Sequence, residues 1–211
     1  MQIEIWSDVV CPWCYIGKRR FERALAQFDQ RDQVRVIWRS FELDPSAPKE
    51  QPGSLVAMLA EKYGGGIANA EAMIAQVTEL AAAEGLTYHM DLARRGNSFD
   101  AHRLIHFAAQ HDLQDAAKER LLQAYFTEGK SISDHATLTA LGAELDLPPD
   151  QVSDMLASDA FVAQVRADQQ RAMEFGVRGV PFFVINEKYG ISGAQSSAFF
   201  LQALEQVAAE Q

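Results

Sequence analysis

Four consecutive residues, Cys11-Pro12-Trp13-Cys14, hold both cysteines of the 211-residue chain, and they lie where a strand-like segment gives way to a helix-like one. Ile3-Glu4-Ile5-Trp6 reads as a strand and Ser7 to Val10 as its exit. Tyr15 to Phe28 follows with an apolar stripe at Phe21, Leu25 and Phe28, the spacing of a helix. Pro12 suits the first helical turn, which has no use for its missing N–H and whose φ the ring already sets. Cys11 therefore stands at a helix N-terminus, where unpaired backbone N–H groups and the positive end of the helix dipole favour thiolate over thiol. That predicts a Cys11 pKa below the ordinary cysteine value.

Two thiols at this spacing are within disulfide reach. Half of a zinc site has the same spacing, but a tetrahedral site needs two more ligands. No further cysteine exists, and His89, His102, His106, His111 and His135 show no zinc-finger spacing to the pair. No metal is expected. A purely structural disulfide is a poor explanation too, because closing so short a loop removes little entropy from the unfolded chain. With 48% hydrophobic residues over 211 positions the chain can bury a core without a covalent staple. The pair is thus free for redox chemistry, which needs no separate cofactor.

A formal charge of −10 argues against nucleic acid or an anionic membrane as partner, since both reward clustered Lys and Arg. No apolar run is long enough for a membrane span. The chain opens Met1-Gln2-Ile3-Glu4 and enters a strand at once, without a secretory signal, so a cytoplasmic location is expected. There thiols are kept reduced and disulfides tend to be transient, catalytic or sensory. The expected partners are protein or small-molecule disulfides and thiols.

Beyond the first helix, Val34 to Leu43 alternates as a strand. Asp44 to Gly53 contains Pro45, Pro48 and Pro52 and reads as a connection. From Ser54 to about Phe175 the apolar positions recur at helical spacing, as in Leu121, Leu122 and Tyr125, with Gly85, Gly129 and Pro148-Pro149 as stops. Pro181 to Ile185 is a short buried-strand pattern, residues 186–188 a turn, Tyr189 to Ser192 its hairpin partner, and Ser196 to Ala209 a closing helix. The chain divides into 1–53, 54–175 and 176–211: a β-α-β opening and a β-β-α ending around an all-helical insertion.

That order resembles an α/β thioredoxin-like fold with a large helical insertion, as in the DsbA family, and within it the FrnE-like branch. The resembling residues are Ser7-Asp8-Val9-Val10-Cys11-Pro12-Trp13-Cys14-Tyr15-Ile16-Gly17-Lys18, then Asn97-Ser98-Phe99-Asp100-Ala101-His102-Arg103-Leu104, then Gly176-Val177-Arg178-Gly179-Val180-Pro181-Phe182-Phe183. The resemblance implies a thiol–disulfide oxidoreductase, with isomerase activity as an extension. Cys11 would attack substrate disulfides and Cys14 would resolve the mixed disulfide. Pro181 would be a cis proline lying against the pair, leaving the Val180 backbone open to an extended substrate. One departure stands out. Thioredoxin-like proteins often carry an acidic residue six positions before the first cysteine, and Ile5 occupies that place; Glu4 points to the other strand face because neighbours alternate.

Pro12 shapes the loop between the sulfurs, and Trp13 is an aromatic beside the nucleophile, suited to substrate recognition. Pro12, Trp13, Val180 and Pro181 are therefore the expected substrate-binding residues, with Phe99 and His102 as further candidates for the cleft. Lys18, Arg19, Arg20 and Arg23 place positive charge along the first helix, within reach of supporting a thiolate. The alternative function is a glutathione-dependent isomerase or transferase of the 2-hydroxychromene-2-carboxylate isomerase or kappa-class type, in which glutathione would be a bound co-substrate rather than a reductant. Those relatives commonly have Ser for the first cysteine and lack the second. A non-enzymatic redox sensor is a third class, separated from the others by turnover.

Overall fold

Period-two alternation in strand β1 (Gln2–Ser7) sends Ile3 and Ile5 to one face of the sheet and Glu4 and Trp6 to the other, and all four are buried. The structure is a computed structural model that describes residues 1–210. Strand β2 (Arg35–Ser40) runs parallel to β1, whereas β3 (Phe182–Ile185) is antiparallel to β1 and forms a hairpin with β4 (Tyr189–Ser192). The sheet order is β2-β1-β3-β4, with Ile5 in register with Trp38 on one side and Phe183 on the other. A parallel β1–β2 pair needs a crossover, and helix α1 (Pro12–Gln27) supplies it.

Helix α1 packs beside the closing helix α9 (Ser197–Ala209) on the Ile5 face. Phe21, Phe183 and Phe200 meet there with ring centroids 4.6–5.7 Å apart. Between β2 and β3 the chain forms α2 (Leu55–Tyr63), α3 (Gly66–Ala83), α4 (Phe99–Ala109), α5 (Gln114–Phe126), α6 (His135–Ala143), α7 (Pro149–Ala157) and α8 (Val162–Glu174). Helix α8 covers the opposite face, where Trp6, Val184, Ala172 and Val177 make a smaller core. There Glu4 is ion-paired with Arg39 and Arg171. Burial works against its charge, but the two guanidiniums hold its carboxyl below the usual range. The carboxylate that stands nearest in sequence to the expected acidic position is thus committed on the face away from the cysteines.

The middle of the chain is not helical throughout. Helix α3 stops at Gly85, whose φ of +79° suits a residue without Cβ, and residues 86–98 form an irregular segment. Backbone bonds tie that segment to its surroundings: His89 N–H to Phe126 O, the Gln51 N–H to Arg95 O and the Asn97 N–H to Pro48 O. These long-range partners explain why local apolar spacing alone overstated the helix.

One close approach fixes α1 against the β3 entrance. A Cβ built on Gly17 would lie 2.8 Å from Pro181 Cγ and 3.4 Å from Ala194 Cβ. A proline ring cannot swing aside, so Gly17→Ala is expected to destabilise the fold by about 1–3 kcal/mol through overpacking, despite the better helix propensity of alanine. Equilibrium urea unfolding checks this; a variant at least as stable as the parent would show that the contact relaxes.

Candidate active site

Cys11 is the N-cap of α1 and Cys14 its third helical residue, so the helix that follows Pro12 sets the spacing of the two sulfurs. Both thiols are free and buried. Cys11 lies on the wall of a cavity of about 770 Å³, and Cys14 does not. The same wall carries Pro12, Trp13 and Val180, facing Met58, Met73, Val77 and Met90 from the insertion. Trp13 is 42% exposed, an unusual state for an indole that packing alone would bury. The Cys11 thiol donates to Val180 O at 3.5 Å. The Val180–Pro181 peptide is cis; Pro181 itself is buried against Gly17 and does not face the cavity.

The cavity lies between the sheet unit and the inserted helices, and residues of the insertion brace the dithiol loop. Tyr88 donates to Pro12 O at 2.7 Å and stacks on Tyr15 and Phe126 at 6.1 and 4.7 Å. Phe99 and His102 are not part of this wall. Phe99 lies under the Arg166 guanidinium at 4.4 Å and borders a separate polar cavity of about 370 Å³. His102 is buried, with Nε2 3.3 Å from Asp8 Oδ1. Burial opposes the charge on Asp8, but His102, the Leu43 N–H and Ser98 keep its carboxyl below the usual range. His106, one turn on, turns to Asp168 Oδ2 at 3.0 Å. Among the described residues no group of three or more His, Cys, Asp and Glu side chains is placed to hold a metal ion.

The electrostatics correct one expectation. The contact with the Cys14 sulfur, burial and the nearby negative charges of Cys14 and Asp8 push the Cys11 thiol well above the ordinary cysteine value; the Cys14 N–H at the helix terminus pulls the other way and loses. Burial opposes ionisation of Cys14, but the Cys11 thiol, the Lys118 charge, the Ser7 hydroxyl and the Asp8 N–H together bring Cys14 below it. The two titrate as a pair, with Cys11 pushed up and Cys14 brought down.

The cation responsible is not in the α1 cluster. Lys18 is buried among Glu22, Asp115 and Glu119, Arg19 is paired with Glu22 and Glu119, and Arg20 and Arg23 share Glu84. Lys118 comes instead from α5. It is 1% exposed, donates to Ser7 O at 3.0 Å and lies 5.7 Å from the centre of the Trp38 ring. Sequence reasoning missed it, although the signal was present: Lys118 precedes Leu121, Leu122 and Tyr125 by three, four and seven residues and so stands on the apolar face of its own helix.

Comparison with known proteins finds similarity along nearly the whole chain. The DSBA-like thioredoxin domain family matches residues 2–205. The structure of a probable DsbA oxidoreductase, SCO1869 from Streptomyces coelicolor, superposes with a TM-score of 0.96 at 42% identity, over 100% of this chain and 91% of that one. The uncharacterized protein YwbO of Bacillus subtilis (strain 168) is 28% identical over 216 residues, 97% of this chain and 96% of its own. A 2-hydroxychromene-2-carboxylate isomerase superposes with a TM-score of 0.74 at 14% identity, over 100% of this chain and 97% of that one, a likeness of fold alone.

Proposed function

The chain belongs to the DSBA-like thioredoxin domain family, and from that premise we propose that it is a thiol–disulfide oxidoreductase cycling Cys11 and Cys14 between dithiol and disulfide. The observation that supports this best is the asymmetry of the pair: two sulfurs in one turn of helix, with only Cys11 on the cavity wall. As Cys11 attacks a substrate disulfide, its proton passes toward the Cys14 thiolate; the new bond joins Cys11 to one substrate sulfur, and the other leaves as a thiolate that takes a proton from solvent. Cys14 then attacks Cys11, forming the internal disulfide and releasing the second substrate thiol. If a second thiol of the substrate, instead of Cys14, attacks the mixed disulfide, Cys11 leaves as a thiolate and the substrate disulfide has been relocated with no net oxidation, which is isomerisation.

The cavity has the size of a small-molecule or peptide site. Trp13, Pro12 and the methionines opposite supply apolar contact to the residues flanking a substrate disulfide, and Val180 offers backbone bonds. Methionine side chains adapt to different shapes, which suits a range of disulfides. The Val180 carbonyl, now accepting from Cys11, is released when that thiol becomes a disulfide. In this reading Pro181 acts through Val180 rather than by touching substrate. No dissociable cofactor is required, and glutathione would serve as a reductant of the internal disulfide. No described helix is long and apolar enough to cross a membrane; a cytoplasmic setting, with the dithiol as resting form, and placement in the FrnE-like branch complete the reading.

Cys14→Ser is the direct test. The attacking thiol remains and the resolving one is lost, so turnover on a peptide disulfide should stop after about one equivalent, with a mixed disulfide at Cys11 that dithiothreitol reverses. Mass spectrometry of the intact protein reads the adduct. Absence of any adduct, together with glutathione conjugation that survives the substitution, would favour the isomerase or transferase chemistry instead.

A further inference from the structure

A buried lysine with no anion bonded to it is costly, because removing an ammonium from water is compensated only by close opposite charge. Lys118 is such a group. Its one hydrogen bond is to a backbone carbonyl, Ser7 O, and among the described residues no carboxylate forms an ion pair with it. The neighbouring Ser7 hydroxyl is buried without a partner within hydrogen-bond geometry. The charged groups that act on Lys118 are Cys14, Asp8, Cys11 and Lys18. From the end of β1 comes Asp8, already bonded to His102, the Leu43 N–H and Ser98. From α1 come Cys11, Cys14 and Lys18, of which Lys18 is surrounded by carboxylates. β2 contributes the face of Trp38, and on α5 itself Asp115 and Glu119 turn to Lys18. The Cys14 thiolate has hydrogen-bond donors in the Cys11 thiol, the Ser7 hydroxyl and the Asp8 N–H, and Lys118 is the cation that acts on it.

We propose that Lys118 is a positioning residue for the resolving step, an internal cation that α5 holds against Ser7 O at the end of β1, under the dithiol loop, in a site where Ile5 leaves no acid–base partner. The inference rests on the oxidoreductase reading. Resolution begins as Cys14 loses its proton and ends with that proton on the departing substrate thiol: the Cys14–Cys11 bond forms, the Cys11–substrate bond breaks, and the electron pair leaves with the substrate sulfur. Between those events the charge sits on Cys14 in a water-poor site, and a fixed cation lowers the energy of that state without moving. Because the cation belongs to α5, a helix of the insertion, the inserted helices take part in the redox chemistry and do more than enclose the cavity.

The test uses Lys118→Met, which keeps chain length and removes charge. In a Cys11→Ser background Cys14 is the only thiol, and its ultraviolet thiolate absorbance gives the titration directly. Loss of Lys118 is expected to raise the midpoint by on the order of one pH unit. With both cysteines present, the equilibrium with a glutathione buffer should shift about tenfold toward the disulfide, because the reduced state loses its stabilised thiolate. The resolving rate below that midpoint should fall only about threefold, since a more basic thiolate is also more nucleophilic. A purely structural lysine would move none of these, and an unchanged midpoint in the folded variant overturns the proposal.

Should Lys118→Met not fold, the wild-type protein decides, because coupling between two sites is reciprocal. The ammonium titration of Lys118, followed by NMR in protein with isotope-labelled lysine, should lie at lower pH in the disulfide form than in the dithiol form. Equal titration in both redox states overturns the proposal. Failure of the wild type to exchange disulfides would instead reject the oxidoreductase reading, while both titrations still report on Lys118.

Discussion

Cys11→Ser is expected to reduce disulfide exchange by roughly 10³-fold or more while leaving the protein folded, since a covalent mechanism without its nucleophile keeps only binding. Cys14 cannot take over. It is 1% exposed and absent from the cavity wall, so a substrate disulfide has no line of approach to it. Folding should not suffer, because Cys11 is an N-cap with extended backbone and no side-chain capping bond, its thiol donating only to Val180 O at 3.5 Å. Serine is among the preferred residues there, and its hydroxyl can accept from the Cys14 N–H at the third helical position, adding up to about 1 kcal/mol. Insulin reduction and thermal unfolding measured side by side separate the two effects. A soluble, folded Cys11→Ser protein that still reduces insulin at a rate near that of the parent would remove the nucleophile from this site.

The parts of the molecule that local patterning could reveal were legible. Ile3 and Ile5 alternate with Glu4 and Trp6, Phe182–Ile185 and Tyr189–Ser192 flank a short turn, and the dithiol sits at the one strand-to-helix junction that the first 30 residues allow. Cys11, Cys14, Pro12 and Trp13 followed from spacing alone, while Val180 and Pro181 came from family likeness. What the sequence hid were contacts between residues far apart in the chain. Lys118 reaches Ser7 over a separation of 111 positions and Asp8 meets His102 over 94. The basic run on α1 looked available and is not, because Glu84, Asp115 and Glu119 arrive from α5 and the end of α3.

That difference also explains why the helix-terminus argument pointed to the wrong sulfur. A dipole argument sees only α1, and by it the N-cap cysteine should ionise first. The field at the pair is set by more than one element. The Cys14 N–H does favour a charge on Cys11, but the Cys14 sulfur and burial oppose it more strongly, and on Cys14 the Cys11 thiol comes first and the Lys118 ammonium second among the groups that favour charge. Cys11 then remains the nucleophile by access, with its proton drawn toward Cys14 as it reacts. Alkylation of the reduced wild-type protein should accordingly show a reactive group whose pH dependence belongs to the pair.

Lys118→Met should stabilise the fold at neutral pH, an outcome opposite to that of most core substitutions. Burial lowers the Lys118 pKa from 10.5 to about 8. Between those two values the unfolded chain binds more protons than the folded one, so stability rises with pH across that window. Below about pH 8 the full cost of the buried charge is present. At about 1.4 kcal/mol per pH unit the cost is roughly 3 kcal/mol, an upper figure because the unfolded reference is idealised. Methionine fills a similar volume with no charge, and replacing a buried ion by an apolar side chain is often neutral or stabilising. Urea unfolding at pH 7 should therefore show the variant ahead by up to about 3 kcal/mol, with the gap closing as pH approaches 10.5. The gain should be larger in the disulfide form than in the dithiol form, where the Cys14 thiolate offsets part of the desolvation. A variant that is less stable than the parent at pH 7 in both redox states would mean that Lys118 is held by compensating contacts stronger than its single bond to Ser7.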